Sequence, residues 1–272
     1  MRRRDLILDA DGFLVAEVAC GGGSSGWSPE EPVTGPAIVL VRSGLFRRRV
    51  NGVDIVVDPM VAYLQRPGTI QQIAHPVGGD LCTVIVPPSE TLDRLTEAPR
   101  RLLHDLVVTA DVDVHHRALL ARCRQGADTF ELVERTTTLV ERLLAGFRDE
   151  APKGSTTPSS YQSGILANRV RELLGIEAEW GPRRGLRELA QALAVSPYHL
   201  SRSFRHATGM TLTRYRRQLR IKRALQRLAE GENDLARLAA DLGFSDQSHF
   251  TRVTRVEAGA TPGQLRALLS PR

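Results

Sequence analysis

Two clusters of side chains near the carboxyl end of the chain have the types and spacing for one kind of chemistry. The first is Tyr198, Ser201 and Arg202; the second is Gln247, Ser248, His249 and Arg252. Neither contains a nucleophile–base pair, a carboxylate pair or a set of metal ligands. Each instead offers hydrogen-bonding groups followed by an Arg. Arg bonds the O6 and N7 edge of guanine bidentately, and shorter polar side chains reach other base edges, so the pattern suits a DNA major groove.

The elements needed to present these groups are legible as an internal repeat. Both copies read Leu-Ala, five residues, Ser, then an apolar residue and an Arg: Leu189-Ala190, Ser196, Leu200 and Arg202, then Leu238-Ala239, Ser245, Phe250 and Arg252. Leu186, Leu189, Ala190 and Leu193 fall at helical spacing, as do Leu235, Leu238, Ala239 and Leu242. A tight turn follows, with Gly243 in the second copy. Ser196 and Ser245 are the expected N-caps, and Pro197 suits a first helical position. Each copy is thus a helix, a turn and a second helix, whose inner face carries Leu200 and Phe204 or Phe250 and Val253.

Between the copies, Thr211 to Ala229 lacks Pro and Gly and predicts one helix. Nineteen residues span roughly 28 Å, near the ~34 Å between successive major-groove faces on one side of a duplex. Six Arg and one Lys crowd the spacer outside its apolar face. Arg205, Lys222 and Arg223 are the expected phosphate contacts, with simple solvated charges as the alternative, and would set salt dependence rather than base preference.

Two helix-turn-helix units joined by a long helix and ending in GFSDQSHFTR…GATPGQLR resemble the DNA-binding domain of the AraC/XylS (arabinose-regulator) family of bacterial transcription factors. The resemblance covers about the last hundred residues. It implies base reading from the starts of both recognition helices, hence by the seven residues named above. It implies double-stranded DNA as partner, with RNA polymerase, a small-molecule effector and a second copy of the chain as further partners, and no cofactor. The sequence departs from the family pattern at Thr254 and Ala258, where aromatic core residues are usual, and at Leu212, where Pro is common. Smaller side chains bury less apolar surface, which predicts a less rigid second unit.

The 272 residues carry a net charge of +6, unevenly spread. From Ile165 onward there are 19 Lys/Arg against 10 Asp/Glu, and 18 against 21 before it, so one half is built to face polyphosphate. Asp5, Asp9 and Asp11 interrupt what would be the apolar part of a signal peptide, and no run approaches a membrane span. Cys20, Cys82 and Cys123 are odd in number and without a CxxC pair, which fits a reducing cytoplasm.

The first ninety residues predict short strands at Gly12–Ala19, Ala37–Arg42, Leu45–Val50, Val53–Val57, Val61–Leu64 and Leu81–Val86. Asn51-Gly52 between two of them is a hairpin signal. The stretch GGGSSG after Cys20 reads as a mobile loop; it lacks the ending of a phosphate-binding loop. The strand order is similar to the cupin-like jelly-roll barrel that precedes the DNA-binding domain in many members of the family, where it binds an effector or pairs subunits. A metal site in such a barrel needs clustered imidazoles and a carboxylate. His75 stands alone among the strands, so it is expected as a structural or loop residue, with effector contact as the alternative and no metal. Arg47, Arg48 and Arg49 alternate faces on a strand and read as a solvated edge, with binding of an effector carboxylate as the alternative.

From Leu92 to Phe147 the pattern turns helical, with Leu102, Leu103, Leu106 and Val107 on one stripe, and further helices at His116–Arg124 and Phe130–Phe147. The adjacent His115 and His116 would point apart. The last helix has so broad an apolar face that it is expected to pair with a second copy rather than only with its own barrel. The sequence therefore predicts an α+β multidomain chain: a barrel with helical extension over 1–148, a Pro/Ser/Thr-rich linker over 149–163, and an all-α domain over 164–272 beginning with a helix at Ile165–Leu174. The function expected is that of a non-enzymatic, cytoplasmic, sequence-specific DNA-binding regulator. The alternatives are a cupin-like enzyme with a helical tail and a non-specific nucleoid-associated protein.

Overall fold

The computed structural model describes residues 2–22, 26–91, 106–149, 158–180 and 184–270. The expected loop tip at 23–25, Leu102 and Leu103, and linker residues 150–157 lie outside the described residues.

The amino-terminal half is a two-sheet barrel. Its strands are β1 (Arg2–Ala10), β2 (Phe13–Cys20), β3 (Glu31–Pro32), β4 (Ala37–Ser43), β5 (Phe46–Val50), β6 (Val53–Val57), β7 (Val61–Gln65), β8 (Ile70–Ala74), β9 (Asp80–Val86) and β10 (Leu106–Val107). One sheet has the order β1-β2-β9-β4-β7-β10 and the other β3-β8-β5-β6. Asn51 and Gly52 both have positive φ, as a type I′ hairpin requires, and Asp11-Gly12 makes the same turn between β1 and β2. Strands β1 and β8 were not expected. The polar outer face of β1 is tolerated because it is a sheet edge. Leu106 and Val107, expected on a helix, pair with Ala62 and Val61 of β7 instead.

The helices are α1 (Ala110–Arg124), α2 (Thr129–Asp149), α3 (Pro158–Trp180), α4 (Leu186–Ala192), α5 (Pro197–Thr208), α6 (Leu212–Ala229), α7 (Leu235–Asp241), α8 (Gln247–Ala258) and α9 (Pro262–Leu269). Helix α3 is longer than expected and takes in residues 158–163 of the predicted linker. The apolar face of α2 does not await a second copy: Leu132, Leu139, Val140 and Leu143 lie in one core with Ile38, Leu40, Leu64 and Ile85 of the barrel. The broad face predicted to pair two chains closes the chain's own barrel.

Helix α1 belongs to two cores at once. Val112 and Leu119 enter the barrel core, while Ala110, Val114 and Ala118 share a core with Ile221, Leu225, Leu238, Phe250 and Ala258. Every residue from Val112 to Ala121 except His115 is buried. This accounts for the small residue at Ala258 of the second helix-turn-helix. Ala258 sits in the core that α1 completes, and adding a Cβ to the adjacent Gly259 would bring it within 3.9 Å of Asp111. An aromatic ring at Ala258 would have to share this core with α1, so the smaller side chain leaves room for a helix of the first half of the chain. Thr254 is fully buried and its hydroxyl has no hydrogen-bond partner among the described residues. Thr254→Val, which keeps the shape and removes the hydroxyl, is expected to raise stability by about 1 kcal/mol. A lowered melting temperature in calorimetry would count against this assignment.

A second junction is made by α3 along the edge strand β6. Asn168 accepts from Val56 N (3.3 Å) and donates to Asp54 O (3.1 Å), and Arg171 donates to Val56 O (3.2 Å). Arg47 pairs with Glu172, and the Tyr215 hydroxyl donates to buried Asp58. The Arg47–Arg49 run is therefore not a solvated edge. Its outer members bind Glu172 and Asp54, while Arg48 is buried over the Tyr63 ring, 4.2 Å from its centroid, with Nε donating to Gln71 (3.0 Å).

Candidate nucleic-acid interface

The repeat folds as two matching units. Ser196 caps α5, accepting from His199 N, and Gly209 ends it in the left-handed region at φ 70°. Helix α8 is capped by Asp246 rather than Ser245: Asp246 Oδ1 accepts from His249 N at 2.7 Å, and Ser245 bonds the Asp246 carboxylate and the His249 ring. Gly259 ends α8 at φ 76°. Backbone donation from His249 holds the Asp246 carboxyl below the usual range, as befits a charged cap at a helix start. With caps aligned, Arg202 and Arg252 occupy the same position in the two units.

These two guanidiniums are exposed, as are Tyr198, Gln247, Ser248 and Arg205, while Ser201 is half-buried. Tyr198 is 74% exposed, unusual for a large ring not used elsewhere in packing. Burial of Leu200 and Phe204 on the opposite face of α5, and of Phe250 on α8, forces this presentation. Two of the expected contacts are placed differently. His249 is half-buried, its ring edge-on to Phe244 at 5.5 Å, and it serves the turn as much as the surface.

Lys222 is not a phosphate contact. It is 2% exposed on α6, facing α1, with Nζ 3.8 Å from the Asp113 carboxylate. Arg117 donates to the same carboxylate at 2.9 Å, to Gln226, and to Arg42 O at 3.1 Å. Burial pulls the Lys222 ammonium down to about 8 despite Asp113 beside it. Burial also pushes the Asp113 carboxyl up, but Arg117 and Lys222 outweigh it and hold the group below the usual carboxylate range. His116, fully buried and 3.8 Å from Asp113, is lowered by burial to about 4 and is neutral at pH 7. It does point away from His115, whose Nδ1 lies 2.9 Å from Asp111 O. Arg223 is half-buried on the same helix as Lys222. Lys222→Met is expected to leave the slope of log K against log salt for DNA unchanged, whereas losing a phosphate contact lowers it by about 0.9. A lowered slope would return Lys222 to the DNA surface.

In the barrel, a cavity of about 450 Å³ is lined by Trp27, Val39, Phe46, Tyr63, His75 and Val84, among others. His75 is not isolated there. Its Nε2 lies 2.6 Å from Asp80 Oδ1, and Cys82 Sγ donates to Asp80 Oδ2 at 2.9 Å. Cys20 is the cross-strand partner of Asp80. Burial and then the nearby Asp80 carboxylate push both the Cys20 and Cys82 thiols up. This grouping was not legible in sequence, because β2–β9 pairing brings Cys20 to residues sixty positions away.

Comparison with known proteins bears on the carboxyl-terminal half. Residues 189–267 match the family model described as a helix-turn-helix domain. The arabinose operon regulatory protein of Escherichia coli (strain K12) is 33% identical over 131 residues, 47% of this chain and 42% of that protein. The Msm operon regulatory protein of Streptococcus mutans is 26% identical over 125 residues, covering 46% and 44%. The transcriptional activator RhaS of Pectobacterium carotovorum is 28% identical over 145 residues, covering 52% and 48%. These matches span just under half the length of those relatives. Among solved structures, ToxT from Vibrio cholerae covers 96% of this chain and 99% of its own at 12% identity, with a TM-score of 0.35, too distant a likeness to carry an argument. A double helix-turn-helix on a rigid spacer defines a class of DNA-facing proteins. Over that domain the chain is similar to the arabinose, Msm and RhaS regulators named above.

Proposed function

We propose that the protein is a sequence-specific DNA-binding transcriptional regulator, with residues 164–272 on DNA and the barrel of residues 1–148 as a small-molecule sensor joined to it through residues 149–163. The observation that carries this reading is the matched pair Arg202 and Arg252. Both are exposed, at equivalent positions of two capped helices, and among the described residues neither has an ion-pair partner. Neighbouring arginines are spent internally: Arg217 pairs with Glu257, and Arg227 with Glu232 and Asp241. Guanidiniums hydrated by water midway along each helix carry no desolvation cost in the free protein and are available to base edges. The barrel cavity, apolar with a few convergent polar groups, supports the effector part of the reading.

Contact with RNA polymerase, action as an activator, pairing of two copies and a cytoplasmic setting are finer parts of this proposal. With the apolar face of α2 packed on its own barrel, pairing would use another surface. No helix among the described residues is long and apolar enough to cross a membrane. The chemistry of base reading assigns no catalytic step to any residue. Selection from random duplexes with the full chain tests the reading. An enriched motif with two half-sites about one helical turn apart is expected. Recovery of unenriched DNA would indicate the non-specific nucleoid-type binder instead.

A further inference from the structure

We infer that Cys20 Sγ, His75 Nε2 and the Asp80 carboxylate form a binding site for a thiophilic divalent cation of the Zn²⁺ class in the wall of the barrel cavity. The inference concerns the barrel alone and does not rest on the DNA-binding reading.

One donor atom from each of the three residues lies within 4.8 Å of the other two. A tetrahedral ion with bonds of about 2.0–2.3 Å holds its donors roughly 3.5 Å apart, so side-chain rotation suffices to close the set. The three come from both sheets. Cys20 ends β2 opposite Asp80 at the start of β9, and His75 follows β8 of the other sheet. All three line the cavity, so a fourth coordination position opens onto it. That is the geometry of an ion able to take an added ligand rather than of a closed structural site.

The electrostatics favour a cation. The Asp80 side chain is 3% exposed, and among the described residues its ion-pair partner is His75. Its second oxygen faces the Cys82 thiol. Among the described residues no Arg or Lys forms an ion pair with this carboxylate between two thiols and an imidazole, and the nearest cation on the cavity wall is Arg2, itself largely exposed. The donor set also selects the ion: thiolate and imidazole disfavour Mg²⁺ and Ca²⁺, which take oxygen ligands. On binding, the Cys20 thiol gives up its proton to solvent as the sulfur–metal bond forms, with no change of oxidation state.

The backbone around the site is built tightly. A Cβ added to Gly79 would lie 2.3 Å from Cys20 O; one on Gly44 would lie 2.3 Å from Gly79 O and 2.8 Å from the Asp80 Cα. Three chain segments thus touch through glycines and fix Cys20 and Asp80 in register. Such packing positions ligands ahead of the ion.

Titration of the chelator-stripped full chain with Co²⁺, followed by absorption, tests the site. The expected result is saturation at about one equivalent with a thiolate-to-cobalt charge-transfer band, bleached by Zn²⁺. Cys20→Ser should abolish the band, and His75→Ala and Asp80→Asn should each weaken Zn²⁺ binding about tenfold or more. Cys123→Ser should leave both unchanged. No saturable band, a band that survives Cys20→Ser, or Zn²⁺ affinity indifferent to His75→Ala would overturn the inference. Circular dichroism melts establish that each variant is folded; if Asp80→Asn is not, Cys20→Ser and His75→Ala decide.

Discussion

Asp113→Ala is expected to destabilise the protein by about 3–5 kcal/mol, because it leaves two buried cations without their anion. Arg117 and Lys222 both lean on this carboxylate, and all three side chains are no more than 3% exposed. Arg42, pulled down to about 10 by burial, lies close by and takes Glu17, and the other carboxylate that acts on Lys222, Asp58, is already engaged by the Tyr215 hydroxyl. Because the network joins α1 to α6, the loss should appear as early separation of the barrel from the DNA-binding half. Urea unfolding followed both by far-UV circular dichroism and by Trp27 fluorescence, in a Trp180→Phe background that removes the second of the two tryptophans, reads this. A loss below about 1 kcal/mol would mean that the cations find water on their own.

Arg202→Ala should weaken binding to the selected DNA site by about 5- to 150-fold, the equivalent of 1–3 kcal/mol per bidentate base contact. The loss should be confined to one half-site, where preference for guanine would relax, while affinity for scrambled duplex falls far less. Arg252→Ala should do the same at the other half-site. Fluorescence anisotropy on duplexes carrying single base changes resolves the two effects. Equal weakening on specific and scrambled DNA would make Arg202 a phosphate contact.

The DNA-binding half was legible because its signals are local. Apolar residues at helical spacing, a tight turn and a capping residue occur twice within eighty positions, and each is legible without knowledge of partners. The one-residue error at Ser245 arose because Ser245 and Asp246 are both good caps, and only the backbone decides between them. Lys222 was misread for the opposite reason. A Lys among Arg residues on a helix looks solvated, and the Asp113 that keeps it buried is contributed by a helix of the other half. The small residue at Ala258 likewise made sense only with α1 in place. Strand β8 was missed because IQQIA carries two glutamines, and the bond from Arg48 that makes Gln71 acceptable inside the barrel is not written in the local sequence.

The double membership of α1 limits how this protein can be recombined with its relatives. Swapping sensors between regulators assumes that each half is a cassette with a finished surface. Here a chimera cut within 149–163 would give the transplanted DNA reader a bare strip at Ile221, Ala224 and Leu225, and leave the donated barrel with Ala110, Val114 and Ala118 facing a stranger. Successful grafts would have to carry residues 110–124 along with the reader they brace, or redesign both sides of that seam together.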